Sequence, residues 1–190
     1  MEMKERIRRA LNSHERRRFA DVSGIPAAVL IPIFTREGED YIVFTKRTET
    51  VDAHKGQISF PGGRQEPGEE PVDTALREAH EEIGLDPAVV EILGELDQEK
   101  TYVTNFVISP FVGHIPYPYP FVINRREVQR LIEVPVAALL DKRNYREEIE
   151  TAGDKRYRAY FFHYENEVIW GATARILKRF FDTICASGRA

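Results

Sequence analysis

Three carboxylates, Glu78, Glu81 and Glu82, stand at i, i+3 and i+4 in the stretch Pro71 to Gly84. If that stretch is helical, their side chains emerge side by side on one face. Like charges so close repel, and a cation that bridges them removes the penalty. Hard divalent ions such as Mg²⁺ prefer carboxylate oxygen and are the natural occupants. Taken alone, three glutamates also fit an ordinary solvated helix face.

The helix that would carry them is well punctuated. Pro71 suits a first helical position, and Gly84 supplies the stop after Ile83. Val72, Leu76, Ala79 and Ile83 recur at the helical period and read as a core stripe pointing well away from the glutamates. Just upstream, Pro61-Gly62-Gly63 lets the backbone turn tightly and approach an ion or ligand closely. Before it, Arg47 to Pro61 has too few periodic apolar positions for a helix and reads as a functional loop ahead of a short strand, Ile58 to Phe60.

The remaining elements frame this core. Residues 3 to 19 carry Ile7, Leu11 and Phe19 among basic groups, which suggests an N-terminal helical extension over 1–22; Arg16-Arg17-Arg18 reads as a solvated face. Strands are expected at Ala27 to Phe34, Tyr41 to Lys46, Val89 to Leu96, Phe106 to His114, Glu127 to Val134 and Tyr157 to Tyr164, the last pairing with Glu167 to Ile169. Ile115 to Val122 holds three prolines and reads as a loop. Short and long helices are expected over Val136 to Leu140 and Ala172 to Ile184. Strands mixed with a few helices argue for an α/β domain.

Composition bounds the function. A chain of 190 residues with 42% hydrophobic content supports one domain over 1–190. A net charge of −4, from 27 basic and 31 acidic residues, gives no general attraction for nucleic acid or for a membrane surface. The single Cys185 suits a reducing compartment, and no signal peptide or apolar run long enough to span a bilayer is visible, so a cytoplasmic protein is expected.

Gly63, Glu69 and the run Arg77-Glu78-Ala79-His80-Glu81-Glu82-Ile83-Gly84-Leu85 together resemble the Nudix box, matched at every defined position over its length. The resemblance implies a Nudix fold, a mixed β-sheet sandwiched between helices in an α/β/α arrangement, and hydrolysis of a diphosphate linked to another moiety. It implies that Glu78, Glu81 and Glu82, with the Gly62 carbonyl, hold Mg²⁺ or Mn²⁺. It also implies that Arg77 and Glu69 pair and brace the loop. The general base comes either from the box, as Glu78 or Glu82, or from a distant glutamate, for which Glu127 is the outside candidate. His80 reads as exposed; His54, in the feeding loop, either contacts phosphate or is a plain loop residue.

A second resemblance extends upstream. Val43-Phe44-Thr45-Lys46-Arg47-Thr48, Gly56 and Phe60-Pro61-Gly62-Gly63 are similar to the signature of coenzyme A diphosphatases. That signature expects arginine where Asp52 stands and a smaller residue at Thr48; Lys46, Arg47 and Lys55 lie close enough to compensate. The resemblance implies cleavage of coenzyme A or its thioesters to 4′-phosphopantetheine and adenosine 3′,5′-bisphosphate, with Lys46, Arg47, His54, Lys55 and Gly56 binding substrate. Tyr102, Tyr117 and Tyr119 are candidates for stacking on adenine, while Trp170 reads as core packing. The alternatives are a Nudix enzyme for ADP-ribose, a dinucleotide or a nucleoside triphosphate, and a non-catalytic nucleotide-binding Nudix domain. The expected partner is a small nucleotide, with a homodimer as a further option.

Overall fold

A computed structural model describes residues 3–19, 23–48, 56–101, 104–152 and 155–186. The chain opens with helix α1 (Met3–Ser13), which buries Ile7, Ala10 and Leu11. The helix expected to run to Phe19 ends six residues early. Beyond it the backbone lies along another segment: Arg17 N–H donates to the Asp97 carboxylate at 2.9 Å, and Gln98 N–H to the Arg17 carbonyl at 3.1 Å. Amides held in this way cannot also bond within a helix.

Strands β1 (Ile25–Arg36) and β2 (Glu39–Arg47) form a hairpin whose turn residues, Glu37 and Gly38, both have positive φ, 53° and 83°. This is the turn geometry whose twist matches paired strands. Short strands β3 (Ile58–Ser59) and β4 (Gly62–Arg64) lead to helix α2 (Pro71–Ile83). A 3₁₀ turn at Pro87–Val89 replaces the first part of the next expected strand, followed by β5 (Glu91–Glu95), β6 (Glu99–Lys100) and β7 (Phe106–His114). Strand β8 (Val128–Pro135) and helix α3 (Val136–Leu140) follow the proline-rich loop. The chain closes with β9 (Tyr145–Ala152), β10 (Lys155–Tyr164), β11 (Glu167–Ile169) and helix α4 (Gly171–Ala186).

The main sheet runs β3-β2-β1-β7-β5, with β8 also on β2, β4 also on β1 and β6 also on β7. Strands β1 and β7 are parallel from Ile25↔Phe106 to Ile33↔His114, and every other pair is antiparallel, so the sheet is mixed. Strand β1 is apolar on both faces because both faces are covered. Ala28, Leu30 and Phe34 pack with Ala75, Ala79 and Ile83 of α2; Ile31 and Ile33 pack with α1 and α4. A smaller sheet, β11-β10-β9, leans on α4 through Phe162, whose ring lies 6.4 Å from that of Phe181. Helices therefore cover both faces of one mixed sheet. Among the described residues no helix is long and apolar enough to cross a membrane.

Candidate active site

Helix α2 is fixed at its C-terminus by Gly84, in the left-handed conformation with φ 67°, whose N–H reaches the His80 carbonyl at 2.9 Å. Its buried residues are Thr74, Ala75, Ala79, Glu82 and Ile83, with Val72 and Leu76 only partly covered. The acidic face is thus not separate from the apolar stripe. Ala75 and Glu82 are nearly two turns apart on one side, so the Glu82 carboxyl enters the wall of the core and is 4% exposed.

The three carboxyls consequently sit in three environments. Glu82 Oε2 is buried and has no hydrogen-bond partner among the described residues. Its burial pushes the pKa up to about 8; nearby Arg47 opposes that rise, Glu78 and Glu127 add to it, and a bond from the Gly62 N–H opposes it. Glu78 is also raised, first by burial, against the pull of Arg77 and with added repulsion from Glu81 and Glu127. Glu81 is exposed. Glu127, just ahead of β8, acts electrostatically on both Glu78 and Glu82, and accepts a hydrogen bond from Asn124 Nδ2 at 3.2 Å.

Arg77 braces the approach to the helix. It donates from Nε to Glu69 Oε1 at 2.9 Å, and from Nη2 to Glu69 Oε2 and the Arg64 carbonyl, both at 3.2 Å. Glu69 also accepts from Thr74 Oγ1 at 2.6 Å, and Arg77 is the main reason its pKa falls to about 2. The same guanidinium reaches Glu78 at 2.8 Å and Glu81 at 3.4 Å through Nη1. Among the described residues no three acidic, histidine or cysteine side chains converge as an ion-holding cluster, since Arg77 draws Glu78 and Glu81 while Glu82 stays against the sheet.

The donor set nonetheless suits a hard divalent ion. It offers three carboxylates, one with an orphaned buried oxygen, beside a backbone that comes very close. A Cβ on Gly63 would lie 2.5 and 2.6 Å from the Glu78 carboxylate oxygens, and one on Gly62 would lie 2.7 Å from the backbone of Val29. At Gly62 the neighbour is fixed backbone, whereas at Gly63 it is the carboxylate end of Glu78, which an added methyl would displace.

A cavity of about 710 Å³ adjoins the two glycines. Its floor is Ala27, Val29, Phe106 and Ile108; its far walls come from β10 and the start of α4, including Tyr157, Tyr160 and Trp170. Arg47, Arg64, Arg156 and Arg175 line it, against Glu150 alone among the described carboxylates, which Tyr157 holds at 2.7 Å. The size and mixed lining are those of a small-molecule cleft.

The candidates named from sequence divide. Arg47 lines the cleft, and its buried Nε has no hydrogen-bond partner among the described residues. Lys46 instead donates to Glu167 at 2.7 Å, which it shares with Arg130. Gly56, with φ 64°, turns the chain into Gln57, a cleft residue. His80 is exposed; Asp52, His54, Lys55 and Tyr102 lie outside the described residues. Tyr117 and Tyr119 do not line the cleft. The proline-rich loop follows the α2 side of the sheet, where Tyr117 stacks on Phe34 at 4.7 Å and the Tyr119 hydroxyl donates to the Gly84 carbonyl at 3.0 Å. Trp170 is no core residue: it is 48% exposed in the cleft wall. The aromatic run Tyr157 to Tyr164 was the one available signal for that wall, and it reads equally as ordinary strand packing.

Comparison with known proteins gives a match to the NUDIX domain over residues 24–140. The chain is 38% identical over 154 residues to a Yersinia pestis protein named uncharacterized Nudix hydrolase NudL, covering 80% of this chain and 76% of that protein. Among solved structures it is similar to a MutT/nudix family protein from Enterococcus faecalis, with TM-score 0.61, 12% identity, and coverage of 92% of this chain and 66% of that one. It is also similar to the NUDIX domain of Shewanella oneidensis NrtR complexed with ADP ribose, with TM-score 0.50, 16% identity, and coverage of 70% and 84%.

Proposed function

The chain belongs to the Nudix hydrolases, and from that premise we propose that it cleaves the diphosphate of coenzyme A or its thioesters, giving 4′-phosphopantetheine and adenosine 3′,5′-bisphosphate. The observation that carries this reading is the cleft: 710 Å³ of mixed aromatic and basic wall joined to the carboxylate helix through Gly62 and Gly63, far more than a diphosphate needs. The upstream residues Val43 to Thr48, Gly56 and Phe60 to Gly63, which resemble the coenzyme A diphosphatase signature, support the choice of substrate.

Glu78, Glu81 and Glu82, with the Gly62 carbonyl, would hold Mg²⁺ or Mn²⁺, whose chemistry there is to neutralise diphosphate charge and polarise phosphorus. The chain's own residues do the rest. Glu127, whose charge acts on Glu78 and Glu82, would take the proton of the attacking water as one P–O bond forms and the bridging P–O bond breaks. Arg77 and Glu69 keep the glycine loop against the helix. Arg47, half-buried near Glu82 and lining the cleft, would steady anionic charge there.

The test is a substrate panel of coenzyme A, ADP-ribose, a dinucleoside polyphosphate and nucleoside triphosphates with Mg²⁺ and with Mn²⁺. Release of adenosine 3′,5′-bisphosphate at the highest kcat/KM is expected. Preference for ADP-ribose, the ligand of the Shewanella neighbour, would overturn the choice of substrate and leave the hydrolase reading intact.

A further inference from the structure

The cleft holds a second cationic point far from the carboxylate helix, and its support is buried. Register places it: Gly63 faces Ala28 on β1, Ala28 faces Ser109 on β7, and the neighbouring Ile108 faces Glu99 on β6. Three inter-strand steps of about 4.8 Å put Glu99 roughly 14 Å from Gly63 across the floor.

Glu99 is 6% exposed and is held by two arginines of α4. Arg175 donates from Nε to Oε1 at 2.6 Å, and Arg179 from Nη2 to Oε2 at 3.2 Å. Arg179 also donates to the Gln98 carbonyl at 2.9 Å and lies 3.9 Å from Asp97, a carboxylate already engaged by His14 and by the Arg17 N–H. Arg175 differs in two ways. It lines the cleft, and Nε is its only nitrogen in a hydrogen bond among the described residues. A guanidinium held by Nε keeps both terminal nitrogens, a planar pair of donors matched to phosphate oxygens. Glu99 and Asp97 together balance Arg175 and Arg179, and Arg156 in the same wall adds a positive charge. Glu150, the opposing carboxylate, is tied to the Tyr157 hydroxyl.

We propose that Arg175, aimed by Glu99, binds a phosphate monoester that the substrate carries beyond its diphosphate, and so selects for nucleotides with that extra group. The inference rests on the coenzyme A reading, in which the monoester is the ribose phosphate. Arg175 touches substrate; Glu99 is a positioning residue.

Two measurements test it separately from that reading. In calorimetric titration of the full chain, adenosine 3′,5′-bisphosphate binds at least about tenfold more tightly than AMP, the scale of one charged hydrogen-bonded contact. Arg175→Gln abolishes that preference, Arg175→Lys restores part of it, and Glu99→Gln reduces it. Arg179→Gln, which shares Glu99 but lies outside the cleft lining, leaves the preference in place. In turnover, Arg175→Gln raises KM for coenzyme A about tenfold more than KM for 3′-dephospho-coenzyme A. A preference that survives Arg175→Gln, its absence in the wild type, or equal losses for both ligands overturns the proposal. If the wild type hydrolyses neither coenzyme A compound, the substrate reading falls, and the titration still decides the role of Arg175.

Discussion

Glu82 combines three properties that rarely coexist in one carboxyl: deep burial, an orphaned oxygen and two acidic neighbours. Glutamine keeps its shape and removes the charge that a cation would bind. We expect Glu82→Gln and Glu81→Gln to retain the fold by circular dichroism and to lower kcat by on the order of 10² to 10⁴. Near-wild-type rates in both would remove the metal assignment. Gly63→Ala should be as damaging, because the added methyl claims the space of the Glu78 carboxylate. Glu69 gives a pH signature. Its folded pKa, about 2, lies below the ordinary value of 4.5, so its contribution to stability is complete above that value and is lost as pH falls toward 2. The melting-temperature gap between wild type and Glu69→Gln should be constant above about pH 5 and close below it. At this scale the box was legible because its spacing is local. The burial of Glu82 was not, since it depends on how deeply α2 sinks into the sheet.

Helix α2 was readable to its ends because its signals, Pro71 and Gly84, act on their own neighbours. Gly84→Ala places a side chain in a left-handed conformation and 2.9 Å from the Val122 Cβ. A loss of about 1 kcal/mol or more is expected in denaturant titration, with turnover per folded molecule less affected than in Gly63→Ala. Other elements are made by distant partners and were missed. Strand β9, with the sequence Tyr-Arg-Glu-Glu-Ile-Glu-Thr-Ala, lacks an apolar alternation; it exists through its ladder with β10 and pairs such as Arg158–Glu147 at 2.6 Å. The early end of α1 likewise depends on Asp97, more than 80 positions away in the chain.

Across the whole molecule, the parallel pairing of β1 with β7 and the docking of α4 bring the glycine turn, β10 and Arg175 around one cleft. The carboxylate half of the site lies within one contiguous stretch and could be read from it; the opposite wall is assembled from residues up to about 110 positions downstream and could not. A cation that binds only the folded chain stabilises all of it by mass action, about 2.7 kcal/mol at a hundredfold excess over Kd. Mg²⁺ should therefore raise the unfolding temperature of the wild type and raise that of Glu82→Gln less. Trp170 has a further use. It is the only tryptophan in the chain, stands half-exposed in the cleft wall, and has no second indole elsewhere to dilute its emission. The protein thus carries an intrinsic fluorophore in the wall of the proposed ligand cleft, and nucleotide titration should quench or shift that emission saturably, giving binding constants without a label.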